Sequence, residues 1–600
     1  MPSLRNIAII AHVDHGKTTL VDQMLRQSGV FRANQEVQEL VMDSEDLERE
    51  RGITILAKNT GVFWGGTKIN IVDTPGHADF GGEVERVLQM VDGVLLLVDA
   101  FDGPMAQTRF VLRKAFEHGL EPIVVINKVD RPNARPIEVH DEVVSLFCDF
   151  DIEDHQLEFR TLYASGRDGW AAQNLDDERR DLRPLFDAIL QNLPAPGGDP
   201  AAVPQMSVAA NEYDPYVGRI AIGRLRDGTL RRGQTVGLCD GDGNVRRDTI
   251  GKLMVFENLG KKEVEVVEAG EICALVGLEQ VEIGETVTDF ENPVYMPVPP
   301  VEEPTLSVIF TINTSPLAGQ DGQHVQSRKL KERLFREREC DVALRVEPTD
   351  SADALEVFGR GVLHLGILIE KLRREDYEFA VGKPQVIMHG NEEPLERLFV
   401  DVPEKMSNTV MSLLVRPKGE LVNMENRGGH VRQEFIIPAR GLIGLRTRLL
   451  TATRGEAVVH TLFEGYGPYR GPIPGRSNGV QVSMASGAAA GYALFNLKDR
   501  GRHFVSPGDP VYEGMIVGEH CRPDDIVVNP CKGKKHTNIR AAGTDENIIL
   551  PPPRIFSVEE SLEYIEEDEL VEVAPRSLRL RKRMLSENER KKLARTAALA

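Results

Sequence analysis

Ile7-Ala-Ile-Ile-Ala11-His-Val-Asp14-His15-Gly16-Lys17-Thr18-Thr19-Leu20 decides how the chain begins to fold. An apolar run long enough for one buried strand leads into a loop with the spacing G-x-x-x-x-G-K-[ST], Ala11 standing where the first glycine is usual. A loop of this kind opens the next helix with free backbone N–H groups that cradle phosphate oxygens. Asp14, His15, Gly16 and Thr19 belong to the cradle, Lys17 reaches the β- and γ-phosphates, and the Thr18 hydroxyl ligates Mg2+. His12 and His15 invite a second reading as a metal pair. They lie on a loop without Cys or carboxylate partners, which argues against it.

Two further motifs follow apolar strands in order. Lys68-Ile-Asn-Ile-Val-Asp73 runs into Asp73-Thr-Pro-Gly76-His77, where the acid holds Mg2+ through water and the Gly76 N–H senses a γ-phosphate. Glu121-Pro-Ile-Val-Val-Ile-Asn127-Lys128-Val-Asp130 ends in N-K-x-D. The Asp130 carboxylate accepts from both N1–H and N2–H2 of guanine, a donor pair that adenine lacks, while Asn127 and Lys128 buttress the loop. The nucleotide is therefore GTP. Arg51-Gly-Ile-Thr54 offers a further hydroxyl, from Thr54, to Mg2+. The charge run before it, Asp43 to Arg51, reads either as part of that switch or as a plain solvated helix.

The whole chain carries 93 Asp+Glu against 72 Lys+Arg, a formal charge of -21, which excludes indiscriminate binding to polyanions. No apolar run approaches the ~18–20 residues that cross a bilayer, and no signal peptide precedes Ile7, so a cytoplasmic protein without membrane partners is expected. The cysteines are scattered without a C-x-x-C pair and read as reduced thiols, with neither a disulfide framework nor a zinc site.

Six hundred residues exceed one hydrophobic core. We expect a multidomain α/β plus β protein: a P-loop GTPase domain over 1–200, closed by the Pro/Gly-rich linker Ala195–Pro204, and a β-barrel over 201–300, where short strands alternate with turns. An α/β domain over 301–387 follows, with strands at Thr305–Ile312, Val342–Val346 and Tyr377–Val381 and helices at His324–Arg338 and Gly361–Arg374, a split β-α-β pattern. A second ferredoxin-like α/β domain spans 388–477, and a distinct C-terminal domain spans 478–600.

That last domain holds Asn529-Pro-Cys-Lys532-Gly-Lys534-Lys535-His-Thr-Asn538-Ile-Arg540, within a stretch free of acids from Ile526 to Thr544. Compact lysines among small residues suit phosphate contacts, so Lys532, Lys534, Lys535, Asn538 and Arg540 are candidates for gripping RNA backbone. Beyond it, Glu559–Glu572 is acidic and Arg576–Arg595 basic, read as a solvated, partly frayed helix pair.

Ala11–Thr18, Arg51–Thr54 and Asp73–His77 together resemble the translational GTPases. The resemblance implies that His77 orients the attacking water once a ribosome positions it, with slow hydrolysis otherwise. In the fifth motif of that family, S-A-[LK], this chain has Ser165-Gly166-Arg167: Ser165 fits and the next two depart. The domain order is similar to elongation factor G, but no room exists for the domain which that factor inserts between its two α/β modules. The BipA/TypA and LepA families share this economy. Val41–Lys58, Ala78–Arg86, Gly103–Phe110, Asn211–Asp214, Pro438–Gly444 and Asn529–Asn538 resemble BipA/TypA, with LepA as the alternative. What this implies is a monomeric factor bound to the 70S ribosome and its subunits at the elongation factor G site. It would touch rRNA, ribosomal proteins and the acceptor end of A-site tRNA. It would act in large (50S) subunit assembly or in translation under cold or other stress.

Overall fold

The structure, a computed structural model, describes all residues except 1–2, 13, 30–45, 52–53, 56, 76–80, 149, 151–157, 215, 298–302, 342, 428, 534–548 and 598–600. It divides into two compact units. One comprises 1–303 with 336–343 and 460–462, the other the remainder.

In the first unit, the described strands β1 (Leu4–Ala11), β2 (Lys58–Trp64), β3 (Thr67–Asp73), β4 (Gly93–Asp99), β5 (Glu121–Asn127), β6 (Arg160–Ser165) and β7 (Trp170–Ala172) form one sheet in the order β2-β3-β1-β4-β5-β6-β7. The inner pairs β3-β1, β1-β4, β4-β5 and β5-β6 are parallel. Such strands are buried on both faces, which is why they read as unbroken apolar runs. Ile7 and Ile9 of β1 pack with α1 (Lys17–Gln27) and α6 (Arg183–Asn192), whereas Ala8 and Ile10 pack with α3 (Gly81–Leu88), α4 (Ala106–Glu117) and α5 (Pro136–Cys148). The sheet is wound on both sides, and its carboxyl edge carries the three motifs.

Among the described residues, eight of the barrel strands of the same unit, between Gln205 and Thr288, form one antiparallel sheet, and Thr229–Arg231 pairs separately with Val266–Glu268. The barrel is bolted to the first domain by polar contacts. Lys68 Nζ and Asn70 Nδ2 each lie 2.8 Å from Glu271 Oε1, and Arg224 Nη2 lies 2.8 Å from Asp92 Oδ1. Gly61 of β2 makes a β-bridge to Asn258; a Cβ at Gly61 would stand 2.4 Å from the Phe256 carbonyl oxygen.

In the 301–387 region, strands Leu306–Ile312, Arg345–Pro348, Ala354–Gly359 and Phe379–Val381 carry helices Ser327–Cys340 and Val362–Arg374. Ala354–Gly359 is a strand the sequence reading omitted. A further module, with strands Glu392–Pro403, Glu420–Arg427, His430–Pro438 and Val458–Pro468, forms a four-stranded sheet.

The C-terminal segment departs from the frayed helix pair expected of it. Helix Val558–Tyr564 is real and has a full capping box from Ser557 and Glu560. Glu569–Ala574 and Ser577–Lys582, however, form a hairpin that extends the sheet of the 301–387 region, with Phe379 opposite Val573 and Val381 opposite Val571. Leu578 and Leu580 alternate with Arg579 and Arg581, a period of two that the charges obscured. The buried acids are matched. Glu572 accepts from Asn313 Nδ2 (2.9 Å), Ser315 Oγ (2.9 Å), Arg579 Nη1 (2.8 Å) and the Tyr512 hydroxyl. Glu569 pairs with Arg476 at 3.0 Å and Lys582 at 2.9 Å.

Candidate nucleotide-binding site

Gly16 caps α1 in the left-handed region, at φ 90°. A Cβ there would be strained and would stand 2.6 Å from Asn127 Nδ2, so only glycine fits. Asp14, the exposed residue of the loop, also has positive φ, 66°. The amide of Asn127 explains the crowding. Its Nδ2 donates to the His15 carbonyl at 2.9 Å and its Oδ1 accepts from the Gly166 N–H at 2.8 Å. One buried side chain thus holds the phosphate loop, the end of β5 and the end of β6 together.

At the phosphate end, Lys17 Nζ lies 3.0 Å from Asp73 Oδ1 and donates to the Thr74 carbonyl. Thr54 Oγ1 donates to Asp73 Oδ2 at 3.4 Å. Asp73 is fully buried and Thr54 nearly so. Thr18 and Thr19 lie half-buried in the first turn of α1. Thr18, Thr54 and Asp73 are hard oxygen donors, one of them an ionisable carboxylate, and that set fits Mg2+ rather than a softer metal. Among the described residues no cluster of His, Cys, Asp and Glu offers a different metal centre. Burial, and then the neighbouring His12, push the His15 imidazole down to about 3, so it is neutral in the fold, where its Nδ1 lies 3.3 Å from the Asp99 backbone nitrogen.

At the base end, Lys128 has positive φ, 62°, and donates to the Asp14 carbonyl. Its Nζ also lies 2.8 Å from Asp99 Oδ2, where Arg131 Nη1 approaches to 3.3 Å. Burial alone would raise the Asp99 carboxyl. The Lys128 hydrogen bond and the Phe101 N–H outweigh it and hold the group below the usual carboxylate range. Asp99 was missed in the sequence, although an acid closing Gly93-Val-Leu-Leu-Leu-Val98 is the same signal that marked Asp73.

Asp130 meets Arg167, with Nη2 at 3.5 Å from Oδ2. Ser165 is buried; its hydroxyl donates to Asp168 Oδ2 at 2.9 Å and accepts from the Asp168 N–H at 3.2 Å. The serine therefore shapes the loop, and it is the Gly166 N–H that Asn127 fixes.

Gly76 and His77 lie outside the described residues, as do Lys534, Lys535, Asn538 and Arg540. Of the basic loop, the root is described: the Ala490 N–H donates to the Pro530 carbonyl at 2.8 Å and the Cys531 N–H to Asn529 Oδ1 at 3.0 Å. Lys532 is exposed just beyond it.

Comparison with known families and proteins agrees with this layout. Residues 2–195 match the elongation factor Tu GTP binding domain, 218–288 elongation factor Tu domain 2, 391–476 the elongation factor G C-terminus, and 478–587 the TypA/BipA C-terminal domain. The last match sets the LepA alternative aside. Curated proteins called large ribosomal subunit assembly factor BipA are 51% identical to this chain. The one from Salmonella typhimurium aligns over 596 residues and that from Bacillus subtilis over 597, each covering 98% of both chains. The Synechocystis protein aligns over 584 residues, 96% of this chain and 98% of its own. Among solved structures, a crystal structure of a Thermus thermophilus protein shares the fold, with a TM-score of 0.54 at 17% identity, over 78% of this chain and 97% of that one.

Proposed function

The chain belongs to the BipA/TypA family of translational GTPases, and from that premise we propose a factor that binds Mg2+·GTP, docks on the ribosome and hydrolyses GTP to leave it. The observation that carries this reading is the side chain of Asn127, which ties the phosphate loop to the loop that reads guanine. Nucleotide identity and phosphate position would thereby be coupled through one side chain.

Asp130 accepts the guanine N1–H and N2–H2, and Lys17 supplies positive charge to the β- and γ-phosphates. Thr18 and Thr54 would hold Mg2+ directly and Asp73 through water; the cation, when bound, neutralises charge that develops on the phosphates. His77 orients the attacking water and Gly76 senses the γ-phosphate. These roles follow from family resemblance. Hydrolysis of this type depends on positioning and charge stabilisation, so a partner that completes the geometry raises the rate.

The relatives' common name points to assembly of the large ribosomal subunit, and this role is proposed for this chain too. The ribosome, rRNA, ribosomal proteins and the acceptor end of an A-site tRNA are the proposed partners, met as a monomer in the cytoplasm. Lys532, Lys534, Lys535, Asn538 and Arg540 would grip RNA phosphates. The test is GTP turnover by the full chain with and without ribosomes. His77→Ala should lose the ribosome-stimulated rate while GTP binding persists, and retained stimulation would overturn the role of His77. Binding measured across salt concentration separates the RNA contact: neutralising Lys532, Lys534 and Lys535 should flatten the salt dependence of ribosome affinity.

A further inference from the structure

Among the described residues of the charge run before Thr54, one charged side chain stands apart. Arg49 and Glu50 of α2 (Asp46–Arg51) are exposed, yet Glu48 is fully buried. A carboxylate taken out of water costs several kcal/mol unless its oxygens are satisfied. Here both are. The Ile55 N–H donates to Oε1 at 2.9 Å, and Lys58 Nζ forms an ion pair with Oε2. Ile55 follows Thr54 directly, and Lys58 opens β2 at the point where it pairs with Asp73 of β3. The same carboxylate therefore holds the backbone on the C-terminal side of Thr54 and the start of the strand beside Asp73. Directly before the first of these anchors, the Thr54 hydroxyl reaches Asp73 Oδ2.

We propose that Glu48 is a positioning residue for the Mg2+·GTP complex. It fixes the Thr54–Ile55 backbone so that the threonine hydroxyl stands beside Asp73, where the cation is held. The inference rests on the assignment of Thr54 and Asp73 to Mg2+ and deepens it. Without the carboxylate the buried Ile55 N–H loses this acceptor and Lys58 loses this ion pair, so the segment settles elsewhere. The effect falls on GTP rather than GDP, because switch segments of this kind are ordered by the γ-phosphate and its Mg2+.

The experiment is a Mg2+ titration of binding to fluorescent GTP and GDP analogues by the full chain, comparing wild type, Thr54→Ala, Glu48→Ala and Glu48→Gln. Loss of a residue that orients a metal ligand typically weakens metal affinity by about tenfold or more. Glu48→Ala should accordingly raise the Mg2+ needed for half-saturation with GTP by about tenfold, as Thr54→Ala does, and leave GDP affinity at the wild-type value. Glu48→Gln keeps an acceptor for the Ile55 N–H and should fall between. A shift in Thr54→Ala without one in Glu48→Ala overturns the role of Glu48 and leaves the Mg2+ assignment standing. No shift in either overturns the assignment itself. Equal weakening of GTP and GDP by Glu48→Ala reduces Glu48 to a structural residue. If Glu48→Ala does not fold, Glu48→Gln with Lys58→Met carries the test: it removes the ion pair and keeps the backbone bond. A wild-type Mg2+ requirement is then expected, and a tenfold rise would overturn the proposal.

Discussion

Asn127 donates to the carbonyl oxygen of His15 across 2.9 Å, and the Cβ that any other residue would place at Gly16 would stand 2.6 Å from the same Asn127 nitrogen. The two motifs are fitted to each other by direct contact. Asn127→Ala removes two buried hydrogen bonds whose partners then lie unsatisfied, at about 1–3 kcal/mol for each such group. GTP and GDP affinity should both fall at least about tenfold, measured by titration calorimetry. Gly16→Ala should abolish binding of both.

Arg167 approaches Asp130, but its side chain is 78% exposed. An ion pair in that setting contributes ~0–1 kcal/mol. Arg167→Leu should therefore change GTP affinity by less than about fivefold. Asp130→Asn meets the opposite expectation, since guanine then faces an unmatched donor. GTP affinity should fall at least about a hundredfold, with a gain for the xanthine nucleotide, whose O2 accepts where guanine donates.

His15 is held neutral in the fold by burial, with its pKa brought from 6.5 to about 3. Its folded value lies below its unfolded one, so the unfolded chain binds the extra proton between these limits. Stability should be unaffected above pH 6.5 and fall below it, at about 1.4 kcal/mol per pH unit from this group alone. Urea unfolding at a series of pH values checks this, and His15→Asn should flatten the slope between pH 6.5 and 4.

Glu563 has the reverse sign. Burial pushes its carboxyl from 4.5 up to about 7; the Thr447 hydroxyl opposes the rise, while Glu559 and Glu560 add to it. The folded state binds the proton more tightly, so its contribution is complete below pH 4.5 and lost as pH rises through 7. Glu563→Gln should leave stability unchanged at pH 4 and raise it by about 2–3 kcal/mol at pH 8.

The nucleotide site was legible because its signals are local: glycine spacing, an acid at a strand end and N-K-x-D each need only a few neighbours. Lys17 opens α1, and Asp73 and Asn127 end β3 and β5, the element boundaries those patterns mark. Ser165 was read as a nucleotide contact by its match to a motif, and the structure turns its hydroxyl to Asp168, three residues on. Glu48 and the hairpin Glu569–Lys582 were obscured for one common reason. Charged residues were read as solvated, and nothing in a one-dimensional pattern tells a carboxylate facing water from one facing Lys58 or Arg579. Strand Ala354–Gly359 was missed because a short run carries little periodicity of its own.

The hairpin that completes the sheet of the second unit also sets a timetable. Phe379 must wait for Val573, 194 positions later in synthesis. At about 5–20 residues per second, the ribosome making this chain takes roughly 10–40 s to deliver the partner strand. Throughout that interval the edge of Phe379–Val381 is unpaired, a template for any other strand nearby. The seven-stranded sheet of the first unit, whose strands all lie between Leu4 and Ala172, has no such delay. A message that stops short of Glu569 would make the exposed edge permanent, so premature termination near the 3′ end of the gene should yield aggregation rather than a protein lacking only its tail.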